Sequence, residues 1–405
     1  MTPNRAYLDH NASSALRPAA RDAMIAAMHA CGNPSSIHGE GRAARATIEG
    51  ARAQVATLVG AEKDAVVFTG SATEAAHLAL TPDITSDGTP RPASHLYVLA
   101  TEHPCVLEGG RFKASQISEI PVLANGVVDE AAFDAMLDAH DTAQGVPYMA
   151  LQLVNSESGV IQPVAKLAQK VRLKGGYTLC DAVQAAGRMP IDVAELGVDF
   201  LMLSAHKLGG PQGIGALVIA HQVLDIPSAI RGGGQEKNRR AGTENVAAIA
   251  GFGAAAAEAA QNAADYAQIT QLRDSIEGML IPICTKQDLA EDRIEVFGQS
   301  APRIGNTLLF SVRGLKAETA LIAFDLDGVA VSSGSACSSG KVGRSHVLEA
   351  MGVDEEIARG AIRVSLGWNS TQADVAHFER AFERITRRLA EMVGRDEQQE
   401  ISGAA

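Results

Sequence analysis

The sequence is short of the features that mark several classes of protein. Only 4% of its 405 residues are aromatic, and no apolar run approaches the roughly 20 residues that a membrane-spanning helix needs. The net charge is −12 and there is no basic run, which argues against nucleic-acid binding as the main function. The first residues lack the apolar core of a secretory signal. We therefore expect a cytoplasmic protein that binds neither nucleic acid nor membrane.

Cysteine is also scarce, and its five positions show neither metal-ligand nor paired spacing. An odd number of cysteines in a chain without an export signal predicts free thiols in a reducing compartment. We expect no metal site, and we treat the thiols as candidates for a reactive group. The five are Cys31, Cys105, Cys180, Cys284 and Cys337.

Short apolar runs alternate with helical stretches through much of the chain. This alternation predicts an α/β fold in which a mostly parallel sheet is covered by helices on both faces. From about residue 265 the helical segments lengthen and the strands are interrupted. We predict a large domain over residues 15–264, a smaller α/β domain from 1–14 and 265–395, and a flexible tail at 396–405. The apolar runs are 65–68, 96–99, 149–154, 177–180, 200–203 and 215–219.

Polar residues follow five of these runs. In an open parallel sheet a ligand site lies beyond the carboxyl ends of the strands. Any one of these polar groups could be a solvated loop residue, but together they predict a site at one edge of the sheet. They are Thr69 to Glu74, Thr101 to His103, Asn155 with Glu157, Asp181 with Gln184, and Ser204 with His206 and Lys207.

Lys207 follows the apolar run 200–203, at the mouth of a predicted buried strand. An enzyme places an amine there to form a Schiff base, whereas the alternative is a surface lysine. Residues 71–74 fit a capping box that opens a helix, and the free amides of such a helix suit a phosphate. The alternative there is a cap and nothing more. Ser204 and His206 are candidates to complete the phosphate site.

Asp181 would be largely buried at a strand end, where a carboxylate needs a cationic partner. It either holds a pyridinium nitrogen protonated or forms a structural ion pair. Gln184 is placed to reach a phenolic oxygen of the same ring, and His103 is placed to stack on its face. Together with Lys207, these residues predict a pyridoxal phosphate site.

Cys337 lies in a segment, 331–341, in which seven of eleven residues are serine or glycine. Small neighbours and a nearby Lys341 favour an exposed, reactive thiol, and the alternative is a cysteine chosen only for its size. The segment is not a phosphate-binding P-loop, because Val342 follows Lys341 where that motif requires serine or threonine.

Arg363 lies inside an apolar, strand-like stretch and therefore needs an anionic partner. A substrate carboxylate and a structural aspartate or glutamate are the two candidates. Residues 231–236 and 239–245 form a glycine-rich basic loop. That loop is either flexible or built for backbone contact with an anion.

In these segments the sequence resembles the cysteine desulfurases of the nitrogen-fixation and iron–sulfur-cluster type, which are class V aminotransferases that use pyridoxal phosphate. The resemblance runs from Leu8 to about Gly367, which is nearly the whole chain. The segments that carry it, in this order and spacing, are 70–74, 101–104, 204–207 with 210–215, 240–245 and 332–337.

The resemblance implies a fold-type I homodimer, with a mostly parallel seven-stranded sheet between helices in the large domain and cofactor sites near the dimer interface. It implies that L-cysteine yields L-alanine and a persulfide, whose sulfur passes to an acceptor protein such as an iron–sulfur scaffold. By motif, Lys207 would hold the cofactor and catalyse, His103 would stack and catalyse, and Cys337 would carry the persulfide. The other roles fall to Ala72, Thr73, Ser204, His206 and the partner's Thr243 at the phosphate, Asp181 at the ring nitrogen, Gln184 and Asn155 at the ring's oxygen edge and the substrate, and Arg363 at the substrate carboxylate.

The sequence departs from the family pattern at places that carry no catalytic role. Ser13 and Ser14 stand where two threonines are frequent, His77 replaces a small polar residue, and segment 81–94 is unusually rich in proline, aspartate and threonine. We expect these changes to alter a surface that a partner uses. The alternative functions are a selenocysteine lyase, an aminotransferase for small amino acids, which needs no thiol, and a non-catalytic member of a sulfur-transfer assembly, which needs none of these residues.

Overall fold

The fold is described for residues 5–261, 265–334 and 344–403 of a computed structural model, and Cys337 lies outside these ranges. Within them, no helix is long and apolar enough to cross a membrane. The elements before residue 262 are β1 (Ala6–Tyr7), α1 (Pro18–His29), α2 (Gly39–Leu58), β2 (Val66–Thr69), α3 (Ala72–Ala79), β3 (Thr85–Ser86), β4 (Thr89–Pro90), β5 (Ala93–Leu99), α4 (Pro104–Leu107), β6 (Ile117–Ile120), α5 (Glu130–Asp138), β7 (Val146–Gln152), α6 (Val164–Leu173), β8 (Tyr177–Asp181), α7 (Val193–Leu196), β9 (Phe200–Ser204), β10 (Gly215–Ile219), β11 (Leu224–Asp225) and α8 (Val246–Gln261). Those that follow are α9 (Asp265–Lys286), β12 (Ile294–Val296), β13 (Thr307–Val312), α10 (Ala317–Leu326), β14 (Val329–Ala330), β15 (Ser332–Ser333), α11 (His346–Ala350), α12 (Glu355–Ala358), β16 (Ile362–Ser365) and α13 (Gln372–Gly403).

A seven-stranded sheet forms the centre of the molecule, with the strand order β2-β10-β9-β8-β7-β5-β6. Strands β5 to β9 pair in parallel, and β10 runs antiparallel to both of its neighbours. Helices cover both faces of the sheet, so that almost every residue of β7 to β10 is buried. This is why these strands are continuous apolar runs and do not alternate between apolar and polar residues. The prediction of a mostly parallel α/β sheet is confirmed.

Alternate side chains of the strands enter cores on opposite faces of the sheet. In β2, Phe68 packs in one cluster with Ile48 of α2 and Phe252 of α8. The neighbouring Val67 packs in the other cluster with Leu78 of α3. This alternation with a period of two residues fixes the register of β2 in the sheet. The register in turn determines where the strand ends and the chain turns toward α3.

The unusual segment 81–94 contains a β-hairpin. Strands β3 and β4 pair across the turn residues Asp87 and Gly88, which have φ values of 49° and 72°. An Asp-Gly pair with positive φ at both positions matches the twist of a two-residue hairpin. Strand β11 adds to β3 and completes a three-stranded sheet. The composition of this segment therefore reflects turn chemistry.

The C-terminal part has its own core, built on a four-stranded antiparallel sheet with the order β12-β13-β16-β15. Phe324 stacks on Phe378, and Phe378 stacks on Phe382, in the cluster that fills this core. Strand β1 pairs in parallel with β14, so that Leu8 enters the same core. The first residues thus pack with the C-terminal part, while the exact domain boundaries stay a prediction.

Candidate active site

Lys207 ends the turn that follows β9. Strand β9 is buried along its whole length, and a single 3-10 turn over Ala205–Lys207 comes directly after it. The Lys207 Nζ donates hydrogen bonds to the carbonyl oxygens of Asn11, at 2.6 Å, and Ala12, at 3.0 Å. The N-terminal segment thereby holds the amine at the carboxyl end of the sheet.

A cavity of about 230 Å³ lies at this edge of the sheet, between the strand ends and helix α3. It collects residues that lie far apart in the sequence, as the strand-end pattern predicts. Its lining also includes Ser71 of the predicted cap and Cys105, one of the candidate thiols, together with Gln152 and Ser156, which no sequence pattern predicted. The predicted residues that line it are Ala72, Thr73, His103, Asp181, Gln184, Ser204, His206 and Lys207.

The turn that leads into α3 is built to receive an anion. The Ser71 hydroxyl accepts the amide of Glu74 at 3.1 Å, and the Glu74 carboxylate accepts the amide of Gly70 at 2.7 Å. Ala72 and Thr73, the first residues of the helix, line the cavity with the positive end of the helix dipole. Gly215 of β10 packs so closely that a β-carbon there would lie 2.5 Å from the Ser71 carbonyl carbon.

Two carboxyl groups lie at the cavity: Asp181 is half-buried and lines it, and the buried Glu102 lies near Asp181. Burial raises the pKa of Asp181 to about 6, although the Lys207 cation opposes the shift. Burial, with the charge of Asp181 beside it, holds the pKa of Glu102 well above its usual range. Glu102 accepts the amide of Gln152 with one oxygen, and its other oxygen has no partner among the described residues. Burial therefore disfavours the charged form of Glu102 beside Asp181.

The two imidazoles of the cavity are neutral at neutral pH. Burial, reinforced by the Lys207 cation, lowers the pKa of both His103 and His206 to about 4. The Nδ1 of His103 accepts the amide of Cys105 at 3.2 Å. This contact assigns the proton of His103 to Nε2. An uncharged ring of this kind can stack on an aromatic cofactor without adding a charge.

Arg188 organises the residues behind Lys207, although no sequence pattern predicted a role for it. Its Nη1 donates to Gln184 Oε1 and to Asn11 Oδ1, both at 2.6 Å, and its Nη2 donates to the Lys207 carbonyl oxygen at 2.9 Å. Arg188 lies four residues after Gln184, in the turn that follows β8. The Gln184 amide, predicted to meet a ring oxygen, is thus fixed by Arg188 and by a bond to the Asn11 carbonyl at 3.1 Å.

Three predicted residues do not belong to the described lining of the cavity. Asn155 is buried and uses its side-chain oxygen to accept the amides of Glu157 and Ser158, at 3.0 and 2.8 Å, which shapes the turn after β7. Thr243 is exposed on the loop that precedes α8. Arg363 is fully buried and is not part of that lining.

Arg363 already has an anionic partner in this chain. Its Nη2 donates to Asp9 Oδ1 at 2.9 Å, and its Nη1 donates to the carbonyl oxygen of Ser156 at 3.1 Å. Its Nε is buried and has no partner among the described residues. The structural carboxylate that the sequence left open is therefore Asp9, while Ser156 connects Arg363 to the cavity.

These groups fit pyridoxal phosphate. The cavity offers an amine for covalent attachment, a carboxylate for the ring nitrogen, a neutral imidazole, and a helix N-terminus with two hydroxyls for the phosphate. The volume of the cavity is smaller than the roughly 300 Å³ that is the lower end of the range for pockets that bind drug-sized ligands. A cavity of this size suits a cofactor with a single ring.

Comparisons with known proteins agree with this site. The family described as aminotransferase class-V matches residues 6–378. An "IscS-like cysteine desulfurase" of Mycobacterium tuberculosis is 35% identical and covers 91% of this chain and 93% of its own. The "Cysteine desulfurase IscS" of Dictyoglomus turgidum is 37% identical over 95% of both chains.

Solved structures give the same result. The X-ray structure of a NifS-like protein from Rickettsia africae superposes with a TM-score of 0.82 at 34% identity, over 94% of this chain and 99% of that chain. The family match and the superposition thus extend over the strands and helices whose ends line the cavity. The chain belongs to the class-V aminotransferases and, within them, to the cysteine desulfurases, which depend on pyridoxal phosphate.

Proposed function

We propose that this chain takes sulfur from L-cysteine, releases L-alanine, and holds the sulfur as a persulfide on Cys337. The observation that carries the proposal is the meeting of the Lys207 amine, the Asp181 carboxyl and the α3 N-terminus around one cavity. The membership in the cysteine desulfurases supports it. Cys337 lies outside the described residues, so its role rests on its serine- and glycine-rich surroundings and on the family resemblance.

Specific side chains would hold the cofactor. Lys207 would bind it covalently, Asp181 would pair with its ring nitrogen, and His103 would cover its ring. The phosphate would lie against Ala72, Thr73, Ser204 and His206. When bound, pyridoxal phosphate supplies an electron sink that accepts the charge left when a proton leaves the substrate Cα.

Lys207 would move that proton. Its amine, when neutral and not bound to the cofactor, would take the proton from the substrate Cα as a general base. The carbonyl oxygens of Asn11 and Ala12, which accept from Nζ in this structure, keep the amine beside the cavity. His103 keeps a proton on Nε2 and remains uncharged, so it adds no repulsion to the substrate amine.

Sulfur transfer exchanges one bond for another. The Cys337 thiolate attacks the sulfur of the substrate, the S–S bond forms, and the Cβ–S bond breaks. The electron pair of the broken bond stays on Cβ, which takes a proton and becomes the methyl group of L-alanine. The carbon is reduced, the Cys337 sulfur is oxidised, and no outside oxidant is needed.

Arg363 would bind the substrate carboxylate. Its guanidinium is shared with Asp9, and its buried Nε is left without a partner among the described residues. A carboxylate that enters beside Ser156 would use this remaining donor. A planar guanidinium suits two anions at once because its five donors point in fixed directions.

This chain would act together with other protein chains. The exposed position of Thr243, outside the cavity of its own chain, supports a homodimer in which each loop reaches the phosphate of the other copy. A cytoplasmic acceptor protein, such as an iron–sulfur scaffold, would take the persulfide sulfur.

The experiment is a desulfuration assay of the reconstituted protein with L-cysteine and, separately, L-selenocysteine. We expect equimolar alanine and sulfide from L-cysteine in the presence of a reductant. Lys207→Ala should lose both products and the visible absorbance of covalently held cofactor, and Lys174→Ala, on the surface, should lose neither. Turnover of selenocysteine alone would instead favour a selenocysteine lyase.

A further inference from the structure

The loop over residues 231–245, which leads into α8, has an unusual backbone. Glu236, Lys237 and Asn238 are consecutive and have φ values of 46°, 57° and 66°. Left-handed backbone is sterically costly for residues other than glycine and persists only where the surroundings fix it. Gly232 and Thr243 are nonetheless exposed on either side of these residues. A loop that faces water is therefore held in a strained shape.

An ion pair between Arg52 and Glu236 holds this loop in its conformation. The Glu236 carboxylate accepts two hydrogen bonds from the Arg52 guanidinium, at 2.7 and 2.8 Å, and one from the Phe68 amide at 2.8 Å. Arg52 also donates to the Val66 carbonyl oxygen at 2.8 Å and lies 4.9 Å from the centre of the Phe68 ring. The side chains of Arg52 and Glu236 are only 7% and 2% exposed. The pair thus fixes the loop onto β2.

A second ion pair attaches the same loop to the phosphate turn. Arg240 Nε donates to Glu74 Oε1 at 2.9 Å, and the other oxygen of Glu74 accepts the amide of Gly70. Strand β2, which Glu236 holds, runs directly into Gly70 and the turn that lines the cavity. Both attachments therefore set the position of the loop relative to the cofactor phosphate.

We propose that Arg52 and Glu236 are positioning residues for the cofactor site of a second copy: they hold residues 236–238 left-handed so that the loop presents Thr243 outward. This inference rests on the proposed function, in which the homodimer binds pyridoxal phosphate and Thr243 serves the phosphate across the interface. Arg240 and Glu74 fix the far end of the loop. Neither Arg52 nor Glu236 touches the cavity of its own chain.

Glu236→Gln tests the pair because it keeps the shape of the side chain and removes the charge that Arg52 binds. Titrating the apo protein with pyridoxal phosphate should show a dissociation constant raised about tenfold or more, as expected when one hydrogen bond to a charged phosphate is lost. Arg240→Gln, at a partly exposed position, should act in the same direction and covers the case in which Glu236→Gln fails to fold.

Glu277→Gln is the matched control. It removes a half-buried ion pair, at 2.9 Å, between Glu277 of α9 and Arg303, away from the loop. It should lower the melting temperature without changing cofactor affinity. An unchanged dissociation constant in both Glu236→Gln and Arg240→Gln would overturn the proposal and leave the pair as a stabilising contact only.

Heterodimers show whether Glu236→Gln in one chain weakens cofactor binding in the site of the other chain. In a dimer of Glu236→Gln with Lys207→Ala, the one intact lysine receives its loop from the Lys207→Ala chain, so cofactor absorbance should appear at the wild-type affinity. The second heterodimer pairs a wild-type chain with a chain that carries both Glu236→Gln and Lys207→Ala. Its one intact lysine receives the altered loop, so its affinity for pyridoxal phosphate should be weak. The reverse pattern would overturn the proposal. A wild-type chain that is monomeric or binds no cofactor would contradict the proposed function before any variant is compared.

Discussion

The Arg188 guanidinium donates a hydrogen bond of 2.9 Å to the carbonyl oxygen of Lys207. The same guanidinium binds the side chains of Gln184 and Asn11. One buried cation thereby fixes the backbone of the residue that would hold the cofactor and the segment whose carbonyl oxygens receive its amine. The geometry of Lys207 thus depends on a residue that lies outside the cavity.

Arg188→Gln should therefore destabilise the protein and misplace Lys207. The variant leaves several buried acceptors without a donor, so we expect the free energy of unfolding to fall by about 3 kcal/mol. Urea unfolding of the apo protein measures this loss, and the fraction of cofactor held covalently should fall with it. Lys174→Gln, which removes an exposed pair with Asp138, should change stability by less than about 1 kcal/mol. Equal losses in the two variants would contradict the role of Arg188.

Cofactor affinity should fall as the pH is lowered through the pKa of Asp181. Burial raises this pKa to about 6, so that the carboxylate is charged above pH 6 and becomes neutral below it. Only the charged form pairs with a protonated ring nitrogen. Titrations between about pH 5 and about pH 8 should show up to about tenfold weaker binding per pH unit on the acid side.

Asp181→Asn separates this effect from titration of the cofactor phosphate, whose second pKa also lies near about 6. The variant should bind more weakly at all pH values and should keep only the shallower dependence that comes from the phosphate. Identical pH profiles for wild type and Asp181→Asn would contradict the assignment of Asp181 to the ring nitrogen.

Gly215→Ala should damage the phosphate turn. A β-carbon at this position would lie 2.5 Å from the Ser71 carbonyl carbon and 2.7 Å from the Ala72 nitrogen, and backbone cannot yield as a flexible side chain does. We expect weaker binding of both pyridoxal phosphate and inorganic phosphate, measured by titration. Gly278→Ala, in the interior of α9 with open space around it, should instead stabilise the protein by about 1 kcal/mol. Unchanged phosphate binding in Gly215→Ala would show that the turn does not hold the anion.

Gly334→Ala should slow persulfide formation without weakening cofactor binding. Glu157 accepts a hydrogen bond of 2.6 Å from Ser345 Oγ, and its carboxylate lies 2.6 Å from where a β-carbon at Gly334 would be. Gly334 and Ser345 flank the segment that contains Cys337. Rapid-quench trapping of the persulfide would show the slower rate, and Ser345→Ala, which adds no bulk at Gly334, is the control. A normal rate in Gly334→Ala would contradict the prediction.

The sequence predicted the sheet and the edge where the cavity lies, because continuous apolar runs fix buried strands and the polar residues after them share one edge. Asp181, His103 and Lys207 were found in this way. Arg188 and the Asn11 carbonyl were not, since a hydrogen bond between segments distant in the chain leaves no periodic signal. Every residue has a carbonyl oxygen, so the residue type at position 11 does not show that its carbonyl accepts the Lys207 amine.

For Arg363, the sequence predicted the kind of partner but not which residue it is. An arginine in an apolar strand predicts an anion nearby, but its partner Asp9 is 354 residues away in the chain. Only the pairing of strand β16 with the N-terminal segment brings them together. The left-handed residues 236–238 were hidden for a similar reason, because Arg52 and Glu236 meet only in the folded chain.

Trapping the sulfur on the protein in a single turnover shows which residue receives it. The holoenzyme is mixed with less than one equivalent of L-cysteine without reductant, alkylated, and mapped by mass spectrometry while alanine is counted. We expect one persulfide on Cys337 for each alanine released, and none on the exposed Cys31. Cys337→Ala should keep the cofactor absorbance and form no persulfide. Alanine release at the wild-type rate in Cys337→Ala, or a persulfide on another cysteine, would contradict the role proposed for Cys337.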